Sequence, residues 1–306
     1  MEIRELRYFL AIAREQSISK AAESLYMTQP SLSRQMQNLE KELGKQLFVR
    51  GSKKIELTEA GFLLQKRAEE MLALYEKTQA ELAAPEECAG EIRIGGGESF
   101  CVSFIARLAT KMQRENPRVV FHFFSGDTQD VTEKLEKGLI DFGILVEPAE
   151  ISRYEFLRLP QKDTWGVLMR KDSPLAQKER ITPQDLSGKP LIRSLHAVKN
   201  RELSAWFSGE EAQDIRATYN LLYNASLLVR EGMGYAVGLD RIINTTGESE
   251  LCFRPLDPPL ESTLAVAWKK NQIFPAPRRN FYRCSETNFP CNKKRFRKPS
   301  GTFSIC

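Results

Sequence analysis

Residues 17–40 read SISKAAESLYMTQPSLSRQMQNLE, and this stretch decides the fold. The pattern predicts two helices that are separated by a tight turn at Tyr26-Met27. Ser19 is a candidate cap for the first, short helix. Thr28 is a favourable N-cap for the second helix, and Pro30 falls in its first turn, where a missing N–H has no consequence.

The second predicted helix has two faces of different character. Its apolar residues recur at spacings of four, three and four, so they share one face: Leu32, Met36, Leu39 and Leu43. The opposite face is polar, with Gln29 and Ser33 at its flanks, and carries Pro30, Arg34, Gln37 and Lys41. Arginine pairs bidentately with guanine and glutamine with adenine, so this face could read DNA. An ordinary surface helix has a similar polar face, and the spacing alone leaves both interpretations open.

A short helix, a turn and a second helix with base-reading side chains form the helix-turn-helix arrangement. The first sixty residues resemble the winged helix-turn-helix of LysR-type transcriptional regulators. The matching residues are Leu6-Arg7-Tyr8-Phe9, Ser19-x-Ala21-Ala22-x-x-Leu25, Thr28-Gln29-Pro30-Ser31-Leu32-Ser33, Leu39-Glu40-x-x-Leu43-Gly44, Leu47-Phe48-x-Arg50 and Leu57-Thr58-x-Ala60-Gly61. The resemblance implies that the chain binds promoter DNA. The expected DNA-binding residues are Thr28, Gln29, Pro30, Ser31, Ser33, Arg34, Gln37, Arg50, Lys53 and Lys54.

The remainder of this first domain, residues 1–57, is predicted to be a scaffold and a wing. Residues 3–15 form a helix whose expected buried stripe is Leu6, Phe9, Leu10 and Ala13. Gly51-Ser52 marks a turn between two short extended arms. Lys53 and Lys54 at its tip are suited to contact phosphates or the minor groove. Alternatively, the tip is an ordinary basic hairpin that does not contact DNA.

Residues 58–90 are predicted to form a linker helix and a hinge. Thr58 caps a helix that runs to about Ala84, and Pro85 to Gly90 end it. A heptad pattern runs through this helix at Gly61, Leu64, Ala68, Met71, Tyr75, Thr78 and Leu82. A helix this long has little core of its own, so we expect its apolar face to pack against a second copy of the chain. The alternative is that this face packs on the chain's own effector domain. In the resembling family this helix forms an antiparallel dimer, which implies a homodimer or a homotetramer.

Residues 91–277 read as alternating strands and helices, which indicates parallel α/β units. The predicted strands are 92–95, 119–125, 140–145, 156–160, 164–170, 190–193, 217–219, 235–239 and 264–268. The predicted helices are 100–115, 130–137, 181–186, 201–207 and 223–232. The order resembles the family's two-lobed, periplasmic-binding-protein-like effector domain, with a second lobe at about 163–264. The matching marks are Ile92-Arg93-Ile94-Gly95, Gly138-x-Ile140-Asp141-x-Gly143-Ile144, Asp185-Leu186 and Val229-x-x-Gly232-x-Gly234-x-Ala236.

Such a domain binds ligands in the cleft at the carboxyl ends of its strands. The expected effector-binding residues are Gly97, Ser99, Phe100, Ser125, Val146, Arg193, Ser194, Tyr219 and Asn220. Ser99 lies where a strand turns into a helix, and free N–H groups at a helix start favour an anion. With Arg193 nearby, these groups favour a small polar effector that could be anionic. Alternatively, Ser99 is only a helix cap.

The net charge of +5 is concentrated at the C-terminal end. Residues 270–306 contain nine Lys or Arg and one acidic residue, a net charge of +8, which leaves −3 for the rest of the chain. The global charge is therefore no argument for DNA binding. Residues 278–306 depart from the terminal amphipathic helix of the family. They are predicted to be a disordered basic tail, such as a frameshift would produce, with a DNA-contacting tail as the alternative.

Other classes of protein find little support in the sequence. No run of eighteen apolar residues exists, and the charged N-terminus lacks a signal core, so we expect a cytoplasmic protein without a membrane partner. Six cysteines do not form a compact disulfide framework. With two histidines and no HExxH, paired CxxC, P-loop or GxSxG motif, we expect no enzyme, no cofactor and no metal.

The sequence therefore predicts a transcriptional regulator that senses a small molecule in its C-terminal domain. The competing interpretation is a constitutive DNA-binding protein whose effector domain no longer responds because its C-terminus is altered.

Overall fold

The computed structural model describes residues 1–50, 54–83, 89–147, 149–195, 201–207, 214–270, 272 and 278–281. The chain divides into two compact units: the smaller, N-terminal unit comprises Met1–Ala84 and Lys137–Leu139, and the larger comprises the rest of the chain. The predicted hinge residues 85–88, Lys53 at the wing tip and residues 282–306 of the predicted tail lie outside the described residues.

In the residues that the structure describes, the N-terminal unit contains four helices and a two-stranded hairpin. Its elements are α1 (Ile3–Glu15), α2 (Ile18–Ser24), α3 (Gln29–Leu43), β1 (Phe48–Arg50), β2 (Ile55–Leu57) and α4 (Glu59–Ala83). The hairpin is antiparallel, with Phe48 opposite Leu57. The predicted helix-turn-helix and wing are thus confirmed.

The core of this unit corrects two of the predicted stripes. Leu6 and Phe9 are buried in α1, but their buried companions are Ala11 and Ile12, while Leu10 and Ala13 are half-buried. In α3 the predicted residues Leu32, Met36 and Leu39 are buried, and Leu43 is 38% exposed. Leu43 is the last residue of its helix, next to the C-cap, where the face has turned out of the core.

The helix ends also refine the predictions. The cap of α2 is Ser17, whose hydroxyl accepts a hydrogen bond from Lys20 N, and the predicted cap Ser19 lies inside the helix. Tyr26 adopts a left-handed backbone (φ 54°) in the predicted turn. Thr28 occupies the N-cap position of α3 and Pro30 is in the first turn, as predicted, although the Thr28 side chain forms no cap hydrogen bond.

The first half of α4 packs within the N-terminal unit. Thr58 Oγ1 accepts a hydrogen bond from Gly61 N at 3.0 Å, which confirms the predicted cap. A Cβ atom on Gly61 would lie 2.2 Å from Leu47 O, so only glycine fits there. Four of the seven predicted heptad positions lie in or against the unit's own core: Gly61, Leu64, Ala68 and Met71. The heptad positions therefore do not form one continuous interface with a second chain, because those in the N-terminal half of α4 already pack within their own unit.

The second unit is an α/β domain. Its strands are β3 (Gly90–Gly96), β4 (Val119–Ser125), β5 (Phe142–Val146), β6 (Tyr154–Arg170), β7 (Pro190–Ser194), β8 (Asp214–Tyr219), β9 (Tyr235–Leu239), β10 (Leu251–Pro255) and β11 (Glu261–Lys269). Its helices are α5 (Val102–Glu115), α6 (Thr128–Glu136), α7 (Pro183–Leu186), α8 (Arg201–Trp206) and α9 (Leu222–Arg230), with short 3₁₀ turns at Ile151–Arg153 and Pro174–Gln177.

Two lobes share the long strands β6 and β11. In the first lobe the strand order is β4-β3-β5-β11-β6, and the second lobe continues from the other half of β6 as β9-β7-β8, with β10 also paired to β6. Strands β3, β4 and β5 are parallel, as are β7, β8 and β9. The two-lobed prediction is confirmed. The two strands predicted at 156–160 and 164–170 are one continuous strand, and β10 was missed.

Each lobe has its own apolar core. The first-lobe core contains Ile92, Phe142 and Trp268, together with Phe281. Residues 278–281 are helical, and Phe281 is 1% exposed. The prediction of a disordered tail is wrong for these four residues, because their aromatic side chain completes the core. Among the described residues, no helix is long and apolar enough to cross a bilayer.

Candidate nucleic-acid interface and effector cleft

The first turns of α3 present polar side chains to solvent. Six of the predicted DNA-binding residues there are exposed and one, Ser33, is half-buried; the exposed ones are Thr28, Gln29, Pro30, Ser31, Arg34 and Gln37. Among the described residues, the Arg34 guanidinium has no ion-pair or hydrogen-bond partner. Its donors are therefore available for a guanine edge or a phosphate.

A groove runs between α3 and the wing strands. Ser33 and Gln37 line it from the helix, and Val49 and Ile55 line it from the strands. Glu40 fixes this geometry, since its Oε1 atom accepts hydrogen bonds from Leu47 N at 2.7 Å and from Phe48 N at 3.3 Å. Glu40 was not among the predicted site residues. It acts by holding the wing against the reading helix.

The wing is also tied to the first helix. Ile55 N donates a hydrogen bond to Gln16 O at 3.0 Å, so β2 is anchored at the end of α1. Lys54 is exposed directly before β2, as predicted. The side chain of Arg50 lies outside the described residues, as does Lys53.

In the second unit, the loop after β3 reaches across the cleft between the lobes. The Glu98 carboxylate accepts a hydrogen bond from Leu222 N, the first residue of α9 in the opposite lobe. The Phe100 ring lies under Arg241, with 4.2 Å between the guanidinium carbon and the ring centroid. Ser99 Oγ accepts a hydrogen bond from Cys101 N at 2.9 Å within the turn before α5, and the N-cap of α5 is Cys101 rather than Ser99.

The other predicted effector residues are distributed around this loop. Ser125 ends β4 and is exposed, and Val146 ends β5 and is half-buried. Gly97 follows β3 and is half-buried. Gly126 N donates to Gly96 O at 3.1 Å, which brings the ends of β3 and β4 together at one edge of the sheet.

In the second lobe, several predicted groups have other roles. The Tyr219 hydroxyl donates to Val237 O at 2.7 Å, and burial, followed by the Glu98 charge, raises the Tyr219 pKa. Arg193 is 6% exposed and lies 4.7 Å from the Phe207 ring centroid, and burial lowers its pKa. Ser194 is the last residue of β7, and Asn220 directly follows β8. Asn220 Oδ1 accepts a hydrogen bond from Leu221 N at 3.0 Å.

A buried polar cluster lies beneath the loop. The Cys101 thiol donates to Asp163 Oδ1 at 3.2 Å. Asp163 on β6 faces Ser262 on β11, and Ser262 Oγ accepts from Trp165 Nε1 at 2.8 Å. Burial, and then Asp163, raise the pKa of Cys101 to about 12, so the thiol stays protonated. Sequence reasoning missed this cluster, because Asp163 lies in a polar stretch with Gln161, Lys162 and Thr164, where a charged residue gives no signal of burial.

Comparisons with known proteins agree with this arrangement. Residues 3–62 match the family described as bacterial regulatory helix-turn-helix protein, lysR family, and residues 85–289 match the LysR substrate binding domain. The chain belongs to the LysR family of transcriptional regulators. Its relatives in this family include the Hca operon transcriptional activator HcaR of Escherichia coli K12. HcaR is 30% identical over 286 residues, which cover 91% of this chain and 95% of HcaR.

Solved structures of LysR-type regulators share the fold. CbnR covers 95% of this chain and 100% of its own, with a TM-score of 0.74 at 19% identity. CbnR complexed with its target DNA gives a TM-score of 0.73 at 20% identity, covering 94% of this chain and 99% of its own. The LysR-type chain described here is thus a DNA-binding regulator with a substrate-binding domain.

Proposed function

We propose that this LysR-type regulator binds promoter DNA through α3 and the wing as a homodimer or homotetramer. The observation that carries the proposal is the exposed Arg34 in the first turns of α3, which has no partner among the described residues and lies beside Gln37 and the wing groove. The proposed contacts are those predicted from the sequence. CbnR, which shares the fold, has been solved with its target DNA, and this supports the same mode of reading here.

Two copies of the reading helix are needed for a specific site. One helix-turn-helix buries a small area, and pairing two of them places the helices on two half-sites. On α4, Phe62 is 63% exposed and Leu63 is 62% exposed, with Leu74 and Leu82 also exposed. A second copy of the chain would cover these apolar side chains.

We further propose that a small molecule binds in the interlobe cleft and changes how the regulator holds DNA. Two contacts across the cleft support this, the hydrogen bond between Glu98 and the start of α9 and the stacking of Arg241 on Phe100, because a ligand bound between the lobes would alter both. The coupling is allosteric if effector and DNA change each other's affinity by the same factor. A cytoplasmic location is part of this proposal, because promoter DNA is the proposed partner.

The second candidate is a constitutive DNA-binding protein with an unresponsive domain. It was motivated by the altered C-terminus, but Arg278 and Phe281 are buried in the first lobe. A ligand that changes the DNA footprint supports the sensing regulator, and a footprint that no ligand changes supports the constitutive protein.

The test of DNA reading is fluorescence anisotropy on the intergenic DNA beside the protein's own gene. Arg34→Ala is expected to weaken salt-sensitive binding by about 1–3 kcal/mol. The matched control is Arg153→Ala, which removes an exposed arginine of the second unit and should bind like the wild type. Equal binding by the Arg34 variant and the wild type would contradict base reading by α3. A random duplex run in parallel separates specific from purely electrostatic binding.

A further inference from the structure

The floor of the interlobe cleft contains a carboxylate whose bonding is incomplete. Asp163 is 1% exposed and lies where β6 passes between the lobes. Among the described residues, its Oδ2 atom is buried and has no hydrogen-bond partner. A buried polar atom without a partner costs about 1–3 kcal/mol, and more when it is charged. Such a group in a native fold calls for an explanation, and a missing ligand is one.

The neighbours of Asp163 do not neutralise it. Cys101 offers a thiol, which is a weak donor. Ser262 faces Asp163 across the strand pair, and its hydroxyl oxygen is engaged by the Trp165 indole. No lysine or arginine of the described part of the chain is within ion-pair distance of Asp163.

A second carboxylate borders the same space. Glu98 lies three residues before Cys101, the residue that bonds Asp163, and three residues span at most about 10 Å, so the backbone of Glu98 is within that distance of Cys101. Arg241 is the cation on the facing rim. It stacks on Phe100 and is 4.0 Å from Asp240, so its charge is partly matched already.

We propose that the effector carries a primary amine, whose ammonium group binds Asp163 Oδ2 at the cleft floor with Glu98 at its rim. This assignment rests on the proposed effector-sensing function. An ammonium group has three donors and forms charge-assisted hydrogen bonds with carboxylates. A neutral hydroxyl would satisfy Oδ2 but leave the buried charge uncompensated.

The structure gives less support to the anionic effector favoured by the sequence. The N–H group at the start of α9, a donor that an anion would use, is engaged by Glu98. An anion in the cleft would meet two carboxylates, and like charges at short range repel.

The test uses the full-length protein and three probes of equal length: propylamine, 1-propanol and propionate. Binding is measured by saturation-transfer NMR and by the melting temperature at neutral pH, at about 20 mM probe, a range that suits a four-atom fragment. Propylamine is expected to bind the wild type and raise its melting temperature, and to bind at least about tenfold more tightly than propionate. Asp163→Asn should lose this binding, while the control Asp172→Asn, at an exposed carboxylate, should keep it.

Glu98→Gln is the second variant, because Glu98 is only half-buried and its replacement does not depend on repacking the floor. It should weaken propylamine binding with the fold intact by circular dichroism. Preferential binding of propionate, undiminished propylamine binding by both variants, or no propylamine binding by the wild type would each overturn the proposal. Fluorescence anisotropy with promoter DNA on the same samples distinguishes the amine-effector proposal from the proposed DNA-binding function. If the protein binds DNA but not propylamine, only the amine effector is rejected.

Discussion

Nε of Arg278 lies 2.9 Å from Oδ2 of Asp141, and both side chains are almost completely buried. The same Oδ2 atom accepts a hydrogen bond from Arg93 N at 2.8 Å, in the strand β3. Asp141 thus joins the residues at the end of the described chain to the central sheet of the first lobe. This pair, with Phe281, explains why residues 278–281 pack although the sequence around them is strongly basic.

Arg278→Met should destabilise the first lobe, because it leaves the Asp141 carboxylate buried without its counter-charge. Removing one partner of a buried pair typically costs about 3–5 kcal/mol. Urea unfolding followed by circular dichroism measures the change. Arg114→Met, at an exposed position near the end of α5 in the same lobe, is the control, and a cost for Arg278→Met no larger than for this control would show that the pair does not hold the segment.

Glu40→Ala should weaken DNA binding, although Glu40 is not one of the proposed DNA contacts. The variant removes the acceptor of Leu47 N and Phe48 N, so the wing is no longer fixed to α3. Hydrogen bonds to a charged group contribute about 1.5–3 kcal/mol to stability. The melting temperature of the protein and the anisotropy of the DNA in the binding assay should both fall. Glu23→Ala removes the same charge from an exposed position on α2, and the prediction fails if both variants bind DNA equally well.

Asp185 should make the second lobe sensitive to acid. Burial acts to raise its pKa, but the bonds from Lys178 and from Thr182 prevail, so the pKa in the folded protein is lowered. A lowered pKa stabilises the fold above the carboxyl's ordinary value, and this contribution is lost as the pH falls through the folded value. Asp185 also completes a capping box with Thr182.

The corresponding experiment compares Asp185→Asn with the wild type across pH. At pH 7 the variant should be less stable by about 1 kcal/mol, the usual contribution of a helix cap. The difference should shrink as the pH falls below the ordinary aspartate value, about 3.9. Asp214→Asn, at an exposed pair, should differ little at any pH. A difference for Asp185→Asn that persists in acid would mean that the charge is irrelevant.

Leu63→Glu should weaken self-association, because it places a charge in the exposed apolar part of α4. Sedimentation velocity over a range of concentrations should show a larger monomer fraction than for the wild type. Gln129→Glu adds the same charge on α6, at an exposed position, and should assemble normally. If Leu63→Glu assembles like Gln129→Glu, the contact lies elsewhere on the chain.

The local parts of the fold were predictable from the sequence. The turn at Tyr26, the cap at Thr28 and the spacing of Leu32, Met36 and Leu39 depend on residues close together in the chain. The wing followed from Gly51-Ser52 for the same reason. The heptad pattern of α4 predicted a packed face, but periodicity does not say which partner covers it, so the intramolecular packing of Ala68 was missed.

The effector cleft depended on contacts that sequence spacing does not reveal. Cys101 and Asp163 are 62 positions apart, and Glu98 and Leu222 are 124 positions apart. The strand β6 was split in the prediction because Pro160 and the polar residues after it look like a loop. In the structure this polar stretch is the part of the strand that crosses between the lobes.

Strands β6 and β11 cross between the lobes in opposite directions, and their pairing changes register between Thr263 and Ala265. A break in a strand ladder bends and twists more readily than regular pairing. The irregular pairing therefore lies in the strand pair that joins the lobes, directly after the Asp163–Ser262 and Lys162–Thr263 pairs. A ligand bound at Asp163 would thus contact the connection between the lobes at its least regular point.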